Sequence, residues 1–266
     1  MATLKSFLKM SGSLGGLVIF ERNGQFFVKG AGGADKKRIL TEPNFQRTRE
    51  NMQEFGAAAV LGKTFRQGFI PIAKLFRTGT LSGKVTGMMK RINKAGPGER
   101  GARSFEIVKQ GSFIEGFELN QKKSFSSVFY PTYDLPEINS ERSQVIWEIP
   151  PFQPFMYINP PNEATHFQLI LHVFGLSDFV YEQSRQAYVF LYPRHNEVRS
   201  TASSAILALN SKLNEGVRLS VDLPMDVTTP VNAGIIISIG VLFFEEVNGT
   251  PSLIPGQNAM KVARIV

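Results

Sequence analysis

Three histidines, His166, His172 and His195, are the side chains best suited to proton transfer or metal ligation near neutral pH, because the chain contains no cysteine. His166 and His172 stand six residues apart in one expected strand and so share a face. About 20 Å of strand separates them, too far to hold one metal ion. The carboxylate pairs Glu115 and Glu118, and Glu245 and Glu246, have no polar partner nearby in sequence that would fix a general-acid role. No metal-binding His-Glu helix and no nucleophile elbow occurs. Two glycine clusters, Gly12 to Gly16 and Gly30-Ala31-Gly32-Gly33 before Lys36, Lys37 and Arg38, offer backbone amides to an anion. Neither has the Gly-Lys-Ser/Thr or Rossmann spacing, so both read as hinges. The expectation is a protein that is not an enzyme, with no catalytic residue, no cofactor and no metal ligand.

Charge is the stronger signal. Residues 1–110 carry 20 Lys and Arg against 7 Asp and Glu, whereas residues 111–266 carry 10 against 15. A basic part of net +13 beside an acidic part of net −5 fits two situations: an external polyanion, or the acidic part of a neighbouring copy. The basic residues run from Lys36 to Arg49 and from Lys84 to Arg103, with Phe45, Phe65, Phe69 and Phe76 nearby. Exposed rings beside cations stack on bases, but these Phe positions also match the core spacing of a helix.

The elements that must position these groups differ between the two halves. Leu17 to Phe20 and Gln25 to Lys29 flank Asn23-Gly24, a strong short β-hairpin signal. A hairpin alone is marginal in water, so this one must pack on something. Thr41-Glu42-Pro43 reads as a helix start, and Phe45, Met52, Phe55 and Ala59 follow at helical spacing. Pro71 ends or kinks that helix, Ile72, Leu75 and Phe76 suggest a further piece, and Leu81 to Asn93 forms another, with Val85, Met88 and Ile92 on one side. Gly96-Pro97-Gly98 marks a loop.

From Phe105 onward the expected strands are 105–108, 125–130, 144–149, 166–174, 187–192, 205–209, 218–223, 235–245 and 259–265. Prolines at 150–151, 160–161, 193, 224 and 230 sit at their ends, where a missing donor costs least. The fold expected is mainly β, α+β overall: an N-terminal β-hairpin plus helices over 1–103 and a C-terminal antiparallel β-sandwich over 104–266.

No stretch reaches the roughly 18–20 apolar residues of a membrane span; Ala233 to Phe244 is the nearest. The N-terminal residues lack the apolar core of a secretory signal, so synthesis in the cytoplasm without membrane insertion is expected. Asn248-Gly249-Thr250 matches a glycosylation pattern but reads as a turn.

Gly12-Ser13-Leu14-Gly15-Gly16-Leu17-Val18-Ile19-Phe20, the hairpin through Gly30, and the string Arg47-Thr48-Arg49-Glu50-Asn51 with Glu54-Phe55-Gly56 together resemble a family of uncharacterised Bacteroidota proteins of similar length. The resemblance covers about the first hundred residues. It implies no reaction and no binding residues.

The leading expectation is a structural or interaction protein that self-associates into a homo-oligomer, ring, tube or filament, with Leu17, Ile19, Phe20, Phe26 and Val28 at the contact. The alternative is a nucleic-acid-associated protein using Lys36, Lys37, Arg38, Arg47, Arg49, Lys90, Arg91 and Arg103 on phosphates. A second alternative is a carbohydrate- or protein-binding sandwich that presents Tyr130, Tyr133, Trp147 and Tyr157.

Overall fold

The computed structural model describes residues 2–3, 11–76, 81–223 and 233–266, so Pro224 and Pro230 lie outside the described residues. By its internal contacts the chain divides into two units, Met1–Glu50 and Asn51–Val266. Charge and composition place a boundary at 103/104 instead. Helices beyond Glu50 share one apolar core with strands of the second half, which places them in the larger unit.

The first unit holds an antiparallel sheet of β1 (Ala2–Thr3), β2 (Gly12–Leu14), β3 (Leu17–Arg22) and β4 (Gln25–Gly30), in the order β1-β4-β3-β2. Asn23 and Gly24 both have positive φ, 54° and 75°, as the two-residue turn between β3 and β4 requires. Gly15 and Gly16 make a second such turn between β2 and β3, so this glycine cluster is a hairpin corner and not a hinge. Helix α1 (Lys36–Thr41) follows, then a 3-10 turn at Pro43–Phe45 and helix α2 (Gln46–Gly68). The expected start at Thr41 is therefore the end of α1: the Thr41 hydroxyl donates back to the Lys37 carbonyl instead of capping the next helix.

The second unit is built on two long central strands, β7 (His166–Leu176) and β13 (Gly234–Val247), paired over eleven positions. β10 (Arg199–Ser203) and β11 (Leu207–Ala208) flank β7, while β14 (Thr250–Leu253) and β15 (Ala259–Ile265) flank β13. Alternation sorts their side chains onto two faces. Phe167, Leu169, Leu171, Val173, Ile235, Ile237 and Ile239 pack against a second sheet of β5 (Glu137–Ile138), β6 (Gln144–Ile149) and β12 (Val217–Asp222), which contributes Val145, Trp147, Leu219 and Val221. Ile170, Phe174, Leu176, Ile236 and Leu242 pack on the opposite side against α2, α3 (Ala73–Phe76) and α4 (Ser82–Ala95). Burial on both faces explains why β13 reads Gly-Ile-Ile-Ile-Ser-Ile-Gly-Val-Leu-Phe-Phe instead of alternating with polar residues. The remaining elements are the hairpin β8 (Phe179–Glu182) and β9 (Ala187–Phe190), and one turn, α5 (Pro154–Tyr157).

Two expected strands are absent. Over 125–130 the chain forms a 3-10 turn whose first N–H, from Phe125, donates to the Glu118 carboxylate; Phe125 and Phe129, four apart, then lie side by side at 5.2 Å. Over 105–108 only Phe105 bridges a strand, because the Asp178 carboxylate accepts the Ile107 N–H in place of a neighbouring carbonyl.

The expected apolar stripe of α2 is also corrected. Met52 and Phe55 are 56% and 59% exposed, and the buried side is Glu54, Ala57, Ala58, Leu61 and Phe65. Small residues win that face because α4 and the sheet approach closely. A side chain on Gly62 would meet Val85 at 3.2 Å, and one on Gly68 would meet the Phe174 ring at 2.3 Å.

Candidate functional site

The N-terminal sheet is the part of the chain whose apolar residues lack a core. Among the described residues 11–50 none is buried, although Leu17, Val18, Ile19, Phe20, Phe26, Phe27 and Val28 lie there. Leu14 and Leu17 are 69% and 48% exposed.

The turn at Asn23-Gly24 fixes the register: Ile19 opposes Val28, Phe20 opposes Phe27 and Glu21 opposes Phe26. One face therefore carries Leu14, Leu17, Ile19, Phe26 and Val28 with Glu21. The other carries Val18, Phe20 and Phe27 with Arg22 and Lys29. Of the five expected self-association residues, Leu17, Ile19, Phe26 and Val28 share the aliphatic face. Phe20 stands on the opposite face with Phe27, their rings 5.8 Å apart and inclined by 25°. Lys29 places its ammonium 5.6 Å from the Phe20 ring centre. The parity of the two strands about Asn23-Gly24 is the sequence signal that separates Phe20 from the others.

The cations expected to contact nucleic acid fall in both units. Lys36, Lys37 and Arg38 lie on α1, where Arg38 pairs with Glu42 at 2.6 Å, and Arg47 is exposed on the first turn of α2. Arg49 is committed to structure: its guanidinium donates to the carbonyls of Ile39 and Glu42. Arg91 is exposed on α4. Lys90 and Arg103 converge on Glu54, a fully buried carboxylate that also accepts the Gly101 N–H at 2.8 Å. Burial opposes ionisation of Glu54 most strongly, but the hydrogen bonds from Arg103, Lys90 and Gly101 together outweigh it and hold the carboxyl at about 2.

The three histidines are dispersed. His166 is partly exposed and touches the Thr165 hydroxyl, while buried His195 donates from Nε2 to the Gly234 carbonyl at 2.8 Å. His172 lies under the end of α2. Its Nε2–H donates to the Gly68 carbonyl at 3.0 Å, because a carbonyl only accepts, and Nδ1 then accepts from the Thr201 hydroxyl at 2.7 Å. Burial pushes the imidazole down to about 4, so it is neutral near pH 7. Since the unfolded ring titrates near 6.5, the unfolded chain binds the extra proton first as pH falls. The contribution of His172 is present above about 6.5 and lost toward pH 4, up to about 3 kcal/mol in all. Melting curves between pH 7 and 4.5 are expected to fall more steeply for the native chain than for His172→Gln; parallel curves would refute the assignment.

Among the described residues no group of three His, Asp or Glu is placed to hold a metal ion. No described helix is long and apolar enough to cross a membrane. The aromatic set expected on the sandwich also divides. Trp147 is fully buried and Tyr133 packs edge-on against it at 5.6 Å, whereas Tyr130 and Tyr157 are exposed, as is Phe155. Tyr157 lines a cleft of about 460 Å³ together with Pro131, Pro150, Pro151, Phe152 and Met156. Asn248 and Gly249 form the positive-φ turn between β13 and β14. No family model, curated protein or solved structure matches the chain.

Proposed function

We propose that this is a structural protein that self-associates through the aliphatic face of its N-terminal sheet. The observation that carries the reading is a sheet whose apolar residues include no buried member among the described residues 11–50. A four-stranded sheet with no core of its own is marginal in water, and covering Leu14, Leu17, Ile19, Phe26 and Val28 with the same face of a second copy removes them from solvent.

The size of the face constrains how it is used. Its strands, two, three, six and six residues long and about 4.8 Å apart, span roughly 280 Å². Two such faces in contact bury about 550 Å², well below the roughly 1,200 Å² at which stable interfaces begin. One face alone therefore gives a weak contact, and a durable assembly needs a second surface. The exposed Met52, Phe55 and Val60 on α2 are a second uncovered apolar set suited to that role. Weak contacts repeated along a ring or filament then combine by avidity.

Sedimentation and light scattering of the full, nuclease-treated chain over a concentration series test the reading. The native chain is expected to form higher-mass species, and Ile19→Lys with Val28→Lys to remain monomeric while Trp147 fluorescence stays native. A native chain that is monomeric throughout the series would sink the proposal.

A further inference from the structure

The opposite face of the same sheet has a different chemistry, independent of whether the protein assembles. It presents Val18, Phe20 and Arg22 from β3 beside Gln25, Phe27 and Lys29 from β4. Alternation sends Glu21 to the other side, so these six residues include no carboxylate. Phe20 and Phe27 occupy the two central strands, nearly parallel at 25° and only part-buried. Lys29 and Arg22 flank them along the strands, and neither forms an ion pair among the described residues.

We propose that this face binds single-stranded nucleic acid, with bases stacking on Phe20 and Phe27 and phosphates held by Lys29 and Arg22. Aromatic rings on an open surface, with cations beside them and no anion between, satisfy both parts of a polynucleotide at once. A duplex hides its base faces, so the rings select the single strand. The surrounding unit reinforces the attraction: residues 1–50 hold nine Lys and Arg against four Asp and Glu. A second copy is a poor occupant, because a face-to-face pair sets Lys29 and Arg22 against their own counterparts.

The test uses the full chain and two fluorescein-labelled probes of equal length and charge: oligo(dT) of twenty nucleotides, and an abasic deoxyribose-phosphate oligomer. Anisotropy titrations are expected to show oligo(dT) binding on the order of tenfold tighter than the abasic oligomer. Phe27→Ala is expected to bring the two probes to the same affinity. Lys29→Gln leaves the rings in place and weakens both probes, reducing the slope of log K against log salt by roughly 0.7. Equal binding of both probes by the native chain would reduce the face to a polyanion patch and overturn the proposal. So would loss of self-association, without change in oligo(dT) affinity, in the Phe27→Ala chain; that result would assign the rings to a neighbouring copy.

Discussion

Glu54→Gln lowers the stability of the folded chain by about 3 to 5 kcal/mol, near the lower bound because both partner cations keep some access to water. The carboxylate is fully buried and receives Lys90, both Nε and Nη2 of Arg103, and the Gly101 N–H. Removing its charge leaves two cations facing an amide that cannot balance them. The same centre is tied outward: Lys90 and the Arg103 carbonyl engage Asn93, and the Tyr188 hydroxyl donates to the Arg103 carbonyl at 3.0 Å. Loss of Glu54 therefore loosens the loop over 96–104 as well as α2. Denaturant titration followed by Trp147 fluorescence measures the change. Replacing all three charges with Glu54→Leu, Lys90→Met and Arg103→Leu is expected to recover most of the loss, which distinguishes an unpaired-charge cost from a packing cost. Glu54 also sets an acid limit. Its folded value of about 2 lies below the ordinary 4.5, so its contribution is complete above about pH 4.5 and lost as pH falls toward 2, following the window of His172.

Glu54 shows why parts of the fold were legible in the sequence and parts were not. Wherever one local rule decides the outcome, the reading held. Asn23-Gly24 permits a two-residue turn and little else, and β6 and β15 run over the residues whose pattern defined them, Gln144–Ile149 and Ala259–Ile265. α4 buries Val85, Met88 and Ile92, as their spacing requires. Where distant groups compete, local rules failed. Met52 and Phe55 have the spacing of a core stripe, yet the buried side of α2 is set by what it meets: Lys90 and Arg103 for Glu54, Val85 for Gly62 and Phe174 for Gly68. The distinctive Arg49-Glu50-Asn51 and Glu54 string likewise has a structural explanation. Arg49 ties the α1 carbonyls, Asn51 accepts from Arg100, and Glu54 gathers the charges. The hairpin itself was legible, but the division of its residues between two faces required the register and the parity that follows from it.

The second large effect is expected where α2 ends on the sheet. Gly68→Ala costs about 2 to 3 kcal/mol, because a methyl there falls 2.3 Å from a Phe174 ring that is itself held by Phe65 at 5.6 Å and Phe69 at 4.8 Å. The ring has no free direction in which to yield, and the helix cannot lift without breaking the His172 bond to the Gly68 carbonyl. Phe174→Leu alone costs about 1 to 2 kcal/mol through lost contact. The combined variant is expected to be more stable than the sum predicts by about 1 kcal/mol or more, since the smaller side chain admits the added methyl. Thermal and denaturant melts of the four chains in that cycle measure the coupling. Strict additivity would mean that α2 relaxes away from the sheet without penalty. In that case the glycine would reflect helix termination alone, and neither close packing nor the His172 bond would hold the helix end over β7.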